Sequence, residues 1–298
     1  MGPLADLHRH LDGALRPDTV RELAAKLGVS VPRELGFVPG MGLEAALSRF
    51  AFTLSLLQAP EHVRRVANEM CEDAAREGVA TLEIRFAPQL HKGATLEAII
   101  DAALEGAAGR AGLLLCGLYG EPPEVLARLV DAAARRPGVT GIDLAGAPTR
   151  GGYGMREYAA AFRRAADLGL GRTVHAGEGR PPAEIAAAIE ILGAQRIGHG
   201  TTLLDEPRVV DVVVSRAVTI EVCATSNWHV GAIAAVSAHP LPRWLRLGVR
   251  ACICTDNPLL SATDAPEEHR RIAALSGIDG TALASLVANG HAAAFRRA

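Results

Sequence analysis

Lysine is nearly missing from this 298-residue chain, where Lys26 and Lys92 stand alone. Positive charge comes instead from arginine, and 31 basic against 33 acidic side chains leave a formal charge of -2. No run of five like charges occurs, so the chain lacks a basic footprint for a nucleic-acid backbone and is expected to bind none. No segment approaches the roughly 20 apolar residues of a membrane span. The start also lacks a basic region followed by an apolar core, so neither a membrane segment nor a secretory leader is expected. The cysteines, Cys71, Cys116, Cys223, Cys252 and Cys254, are odd in number and lie mostly in apolar runs. That excludes a disulfide framework and predicts reduced, buried thiols. A cytoplasmic protein acting on a small molecule is the expectation.

What the sequence does contain is a regular alternation. Short β-prone runs recur at Leu4 to His10, Ala80 to Phe86, Leu113 to Tyr119, Val139 to Leu144, Arg172 to His175, Arg196 to His199, Val218 to Cys223 and Val249 to Thr255. Segments of helical spacing separate them, with start signals such as Pro17-Asp18, Pro60-Glu61 and Pro181-Pro182. Parallel strands need such crossovers, and eight of them in one chain of this length predict a single α/β domain over residues 1–298, a (β/α)8 TIM-type barrel. An open doubly wound sheet ranks below it, because no glycine-rich dinucleotide fingerprint follows the first strand. Ser30 to Met41 reads as an irregular loop leading into a helix over Leu43 to Leu57, an additional cap after the first strand.

Side chains two apart on a strand share a face, so His8 and His10 in "DLHRHLDG" project together near the carboxyl end of the first strand, where barrel enzymes place their chemistry. Alone, the pair is weak evidence. However, "TVHAGEG" ends the fifth strand with His175, "RIGHG" the sixth with His199, and "CICTDNP" the eighth with Asp256. Four strands thus end in a metal-type ligand. Imidazoles with a carboxylate make a mixed nitrogen and oxygen site that suits zinc, which lowers the pKa of its water towards neutrality. Glu178, three residues past His175, can serve as acid and base, or else as a helix first-turn carboxylate. His62, His91, His229, His239, His269 and His291 show no comparable placement and are expected at the surface or at caps, with His229 able to line a pocket. The fourth strand, "GIDLAGAP", carries no lysine that could bridge two metals, which favours one metal. The absence of any C-x-x-C excludes the cytidine-deaminase design.

Seven motifs, "DLHRHLDGALRP", "EIRFAPQLH", "GIDLAGAP", "TVHAGEG", "RIGHGTTLLDEP", "EVCATSN" and "CTDNPL", occur in an order that resembles the adenosine deaminase family over nearly the whole chain. The resemblance implies a zinc-dependent barrel hydrolase of purine salvage that replaces the 6-amino group of adenosine, and of 2′-deoxyadenosine, with oxygen and releases ammonia. It implies His8, His10, His175 and Asp256 as ligands of one zinc per chain. Glu178 resembles the group that protonates ring N1, and His199 the residue that orients the attacking hydroxide with Asp256 as base. The Gly146 N–H corresponds to the donor to N3, and Asp12 with His10 to the contacts of the ribose hydroxyls.

Asp143 reads either as a support for a ligand or as a structural carboxylate. Glu83 and Arg85 share a strand face and read as a structural ion pair. Ser226 and Asn227 end the seventh strand, where they order the metal site or form a plain turn. Three departures from the family pattern stand out. Asn257 replaces a second aspartate that bonds purine N7, and an amide can still donate there. Ala224 replaces a proline, and the chain and its loops are short. Deamination of a related adenine compound, aminodeoxyfutalosine or adenine, is the alternative, and a non-catalytic purine-binding barrel a more distant one. No protein partner is predicted.

Overall fold

The computed structural model describes residues 2–148 and 152–295. The first strand, β1 (Leu4–His10), is followed by α1 (Pro17–Leu27), α2 (Leu43–Leu56) and α3 (Pro60–Arg76). Strand and helix then alternate through β2 (Val79–Phe86), α4 (Leu96–Ala107), β3 (Gly112–Leu118), α5 (Pro123–Ala134), β4 (Val139–Ala145), α6 (Met155–Asp167), β5 (Gly171–Ala176) and α7 (Ala183–Glu190). The second half continues with β6 (Arg196–His199), α8 (Pro207–Ser215), β7 (Thr219–Val222), α9 (Ala224–His229), α10 (Leu241–Arg246) and β8 (Arg250–Ile253), then α11 (Pro258–Ser261), α12 (Ala265–Ala273) and α13 (Gly280–Ala293).

Local chemistry sets the helix ends. Proline opens α1, α3, α5 and α8, where its missing N–H costs nothing and its fixed φ suits the first turn. Thr95, Asp264 and Asp279 accept first-turn N–H groups of α4, α12 and α13 through their side chains. None of the described helices is long and apolar enough to cross a membrane.

Each strand pairs in parallel with the next, in the order β1 to β8. The last gap is spanned by a bridge between Arg9 and Asp256, in which His10 N donates to Asp256 O at 2.8 Å and Asp256 N donates to His8 O at 2.7 Å. The sheet is therefore a nearly closed barrel, as the alternation predicts. The seventh and eighth strands are shorter than expected, because Cys223 already leads into α9 and Thr255 and Asp256 leave the ladder to meet β1.

Period-two alternation sorts the side chains of each strand. Leu82, Ile84 and Phe86 of β2, and Ile220 and Val222 of β7, join the main aliphatic core. Burying each such side chain stabilises by about 1.5–3 kcal/mol. The intervening residues face the barrel interior, which in this architecture is filled mainly by branched aliphatics. Here it holds Glu83 and Arg85 of β2, Asp143 of β4, Thr173 of β5, Arg196 of β6 and Glu221 of β7, all buried. Their bonds cross between non-adjacent strands, which only inward-facing groups can do. Glu83 and Arg85 do not pair with each other: parallel side chains on one strand reach across instead, Glu83 to Arg196 at 2.5 Å and Arg85 to Asp143 and Glu221, each at 2.9 Å.

Five cysteines are free and buried, as expected. The remaining histidines depart from expectation, since His62, His91, His229, His239 and His269 are buried rather than superficial. The rings of His62, His91 and His269 are held by backbone carbonyls of Leu56, Leu57 and Ala265, which satisfies a polar group inside an apolar shell. His239 does act as a cap, accepting from Leu241 N at 3.1 Å.

The floor of the barrel is closed by the segment after α13. Phe295 lays its ring 3.6 Å from the Arg196 guanidinium, and its N–H donates to Glu83 at 2.6 Å. Gly171 makes this possible, because a Cβ there would overlap the Phe295 ring. Gly171→Ala should accordingly cost about 1–3 kcal/mol by overpacking. Thermal unfolding would show it as a lowered Tm, and an unchanged Tm would mean that the ring is not seated there.

Candidate active site

The carboxyl ends of β1, β5 and β6, with the segment after β8, bring four imidazoles and a carboxylate together. His10 Nε2 lies 3.3 Å from His8 Nε2 and 3.2 Å from His175 Nε2. Asp256 Oδ1 lies 3.5 Å from the first and 3.4 Å from His10 Nε2. The His199 ring stands beside them, its centroid 5.0 Å from that of His8 and 5.1 Å from that of His175.

A single N–H on His10 Nε2 could serve only one of its two ring neighbours, so hydrogen bonding among the rings does not explain the convergence of all three. His8 Nδ1 donates to Glu221 Oε2 at 2.7 Å, and His175 Nδ1 lies 3.1 Å from Asp143 Oδ2. A neutral ring that donates through Nδ1 presents a bare lone pair at Nε2. Lone pairs facing one another with a carboxylate repel unless a cation lies among them, so His8, His10, His175 and Asp256 fit a divalent metal. Burial holds His10 well below the usual imidazole pKa and lowers that of His175, which favours the neutral form that ligates, whereas at His8 the bonds to Asp256 and Glu221 outweigh burial and raise it, so a metal there would displace a proton. Asp143 thus holds the His175 ring, the contact that a role in supporting a ligand would need.

Two ligand-side residues sit in the left-handed region, His199 at φ 69° and Asp256 at φ 64°. Such backbone costs on the order of 1–3 kcal/mol per residue and persists where surroundings over-determine it. For Asp256 those surroundings are the barrel closure, reinforced by Thr255, whose hydroxyl and N–H both donate to Asp6. For His199, Asn227 Nδ2 lies 3.0 Å from Nδ1. Ser226 and Asn227 belong to α9 and not to a plain turn, and Ser226 lines the cavity.

Glu178 lies on the turn between β5 and α7, outside the helix, which removes its reading as a first-turn carboxylate. Its Oε1 is 3.7 Å from His199 Nδ1. Burial, with the Asp256 charge adding to it, pushes its carboxyl up to about 8. Glu178 is therefore poised to carry a proton near neutral pH.

Above the ligands lies a cavity of about 50 Å³ lined by Phe37, Leu43, Phe50, Gly146, Glu178 and Asn257. It shares His10, Leu47, Phe50 and Gly146 with a second cavity of about 300 Å³, which Asp12, Leu90 and Tyr119 also line. Phe37 and α2 form the lid of the first, the cap expected after β1. Asp12 Oδ1 and Asn257 Oδ1 are buried without partners, and burial pushes the Asp12 carboxyl up to about 6. Gly13 leaves room for the Asn257 carboxamide, which a Cβ there would overlap.

Every residue predicted for the site is thus gathered at one end of the barrel. Glu221 escaped the sequence reading, which took Arg85 only as a structural partner of Glu83. The available signal was Glu221 as the lone charge in "AVTIEVCA", where a buried strand tolerates a carboxylate only with partners.

Comparison with known proteins places this geometry. The family model described as adenosine deaminase matches residues 3–298. The adenosine deaminase of Clostridium kluyveri is 36% identical, the match covering 89% of this chain and 82% of that protein. That of Escherichia coli O157:H7 is 34% identical, covering 99% and 94%. Among solved structures, the adenine deaminase of Arthrobacter aurescens superposes with a TM-score of 0.90 at 26% identity, covering 100% of this chain and 95% of its own.

If these four groups hold a metal, one equivalent of Zn2+ added to chelator-treated protein should raise its Tm, and His8→Ala should abolish the response. A wild-type Tm indifferent to Zn2+ would contradict the assignment.

Proposed function

The chain belongs to the adenosine deaminase family, and from that premise we propose that it hydrolyses adenosine to inosine and ammonia. The observation that carries the reading is a buried Glu178, its carboxyl pushed up to about 8 by burial, beside three convergent imidazole Nε2 atoms and Asp256. The mixed nitrogen and oxygen donor set favours Zn2+ as the ion, one per chain.

Attack on an aromatic ring needs an activated nucleophile and a proton for the ring nitrogen together. A cation held by His8, His10, His175 and Asp256 supplies the acidity that makes hydroxide available near neutral pH. The protein does the rest. Glu178 delivers its proton to N1 as oxygen adds to C6, so the ring electrons settle on a neutral N–H and not on an anion. His199 and Asp256 border the same space and orient the attacking oxygen, with Asp256 taking its proton. The departing amine leaves C6 as ammonia once that proton reaches it, which returns Asp256 to its starting charge; inosine keeps the Glu178 proton on N1, and the proton released as the next water becomes hydroxide returns Glu178 to its acid form.

The cavity walls account for orientation. The Asn257 carboxamide can donate to N7, and the N–H of Gly146 to N3. With C6 towards the ligands, N9 points to the larger cavity, where His10 and the unpartnered Asp12 oxygen can meet sugar hydroxyls. That oxygen favours a nucleoside over free adenine, the substrate in the name of the Arthrobacter neighbour.

Glu178→Gln should lower kcat/KM for adenosine by about 10²–10⁴-fold, followed by the ultraviolet change on conversion to inosine. In the wild type kcat/KM should fall as pH rises through the Glu178 pKa, because the acid form is lost, and the substitution should erase that limb. Normal turnover in the variant would remove Glu178 from the role given to it. Adenine tested beside adenosine decides the substrate.

A further inference from the structure

Beneath the ligands, one guanidinium joins the two carboxylates that hold them. Arg85 Nη1 donates to Asp143 Oδ2 at 2.9 Å, and Nη2 donates to Glu221 Oε2 at 2.9 Å and to Leu7 O at 2.6 Å. Asp143 supports His175, and Glu221 supports His8. Arg85, Asp143 and Glu221 are each fully buried, so water cannot substitute for a missing partner.

We propose that Arg85 is a positioning residue that ties the orientations of His8 and His175 together, so that the two imidazoles form one rigid half of the metal site. A fork with two nitrogens at fixed separation sets the distance between the carboxylates it bridges. Each carboxylate then fixes the rotation of one ring through Nδ1 and aims Nε2 at the ion. The bridge runs from β2 to β4 and to β7, and so couples strands that share no ladder. The carbonyl of Leu7 adds a tie to β1 itself, one residue from His8.

The inference rests on His8 and His175 being ligands, and competition for Zn2+ between the full-length protein and a chelator tests both parts separately. Wild-type protein that binds no Zn2+ would defeat the ligand assignment. Given wild-type binding, Arg85→Gln should lower Zn2+ affinity on the order of 10–100-fold, the usual effect of losing a group that supports a ligand. Arg85→Lys, which keeps the charge but not the fork, should fail to rescue it, and the visible spectrum of the Co2+-loaded variants should change as the ligand geometry loosens. Wild-type affinity in Arg85→Gln, or full rescue by lysine, would overturn the proposal. A merely structural role would lower the Tm of the metal-free protein and leave the affinity of the folded variant intact, which overturns it too. Should neither variant fold, Asp143→Asn and Glu221→Gln in the wild-type background provide the measure. With the brace in place their combined loss of affinity should fall short of the product of the single losses, and independent multiplication would overturn the proposal.

Discussion

The contact between each buried imidazole Nδ1 and the carboxylate beneath it is what the rest of the structure depends on. Without Glu221 and Asp143, the rings of His8 and His175 could rotate, and their Nε2 atoms would have no reason to converge with that of His10. Because each carboxylate takes the Nδ1 hydrogen, it fixes both the tautomer and the direction of the lone pair. The barrel's task is to hold these two pairs, Asp256 and Glu178 at one end of the sheet.

The barrel interior is costly for that reason. Burying ion pairs seldom gains stability over a well-packed apolar core, whereas breaking one is severe, commonly 3–5 kcal/mol in order of magnitude. The floor shows how the charges are compensated. Glu83 meets Arg196, Arg196 also lies 2.7 Å from Glu221 Oε1, and the Phe295 ring covers the guanidinium from below. The guanidinium at one end and the imidazole at the other thus share the Glu221 carboxylate, and despite burial, which acts in the opposite direction, the charges of Arg85 and Arg196 hold it well below the usual carboxylate pKa. Stability and site geometry are served by the same side chains.

Much of this is legible in the sequence because each relevant feature is local. The β-prone runs set the strands, and the histidines and the aspartate placed at or just after strand ends mark one end of the barrel as the place where they gather. His8 and His10 follow from the period of two. What resists reading is pairing across the interior. Arg85 and Glu83 look like partners because they share a face of β2, but parallel side chains on one strand point the same way, and their opposite charges lie on β4, β6 and β7. The buried histidines fail for a related reason. His62 and His91 find their carbonyls at the end of α2 and just beyond it, a tertiary relation that no local pattern marks. Glu178 could be singled out by its spacing from His175, while its removal from the helix needed the turn geometry.

The central claim is that these residues cooperate in a hydrolysis at C6 of adenosine. Its most direct test is to incubate Zn2+-loaded protein with adenosine in 18O-labelled water and to analyse the products by mass spectrometry. The account predicts inosine carrying one labelled oxygen at C6, with one ammonia released for each label incorporated. Unlabelled inosine, or adenosine left intact by protein shown to hold its metal, would contradict it.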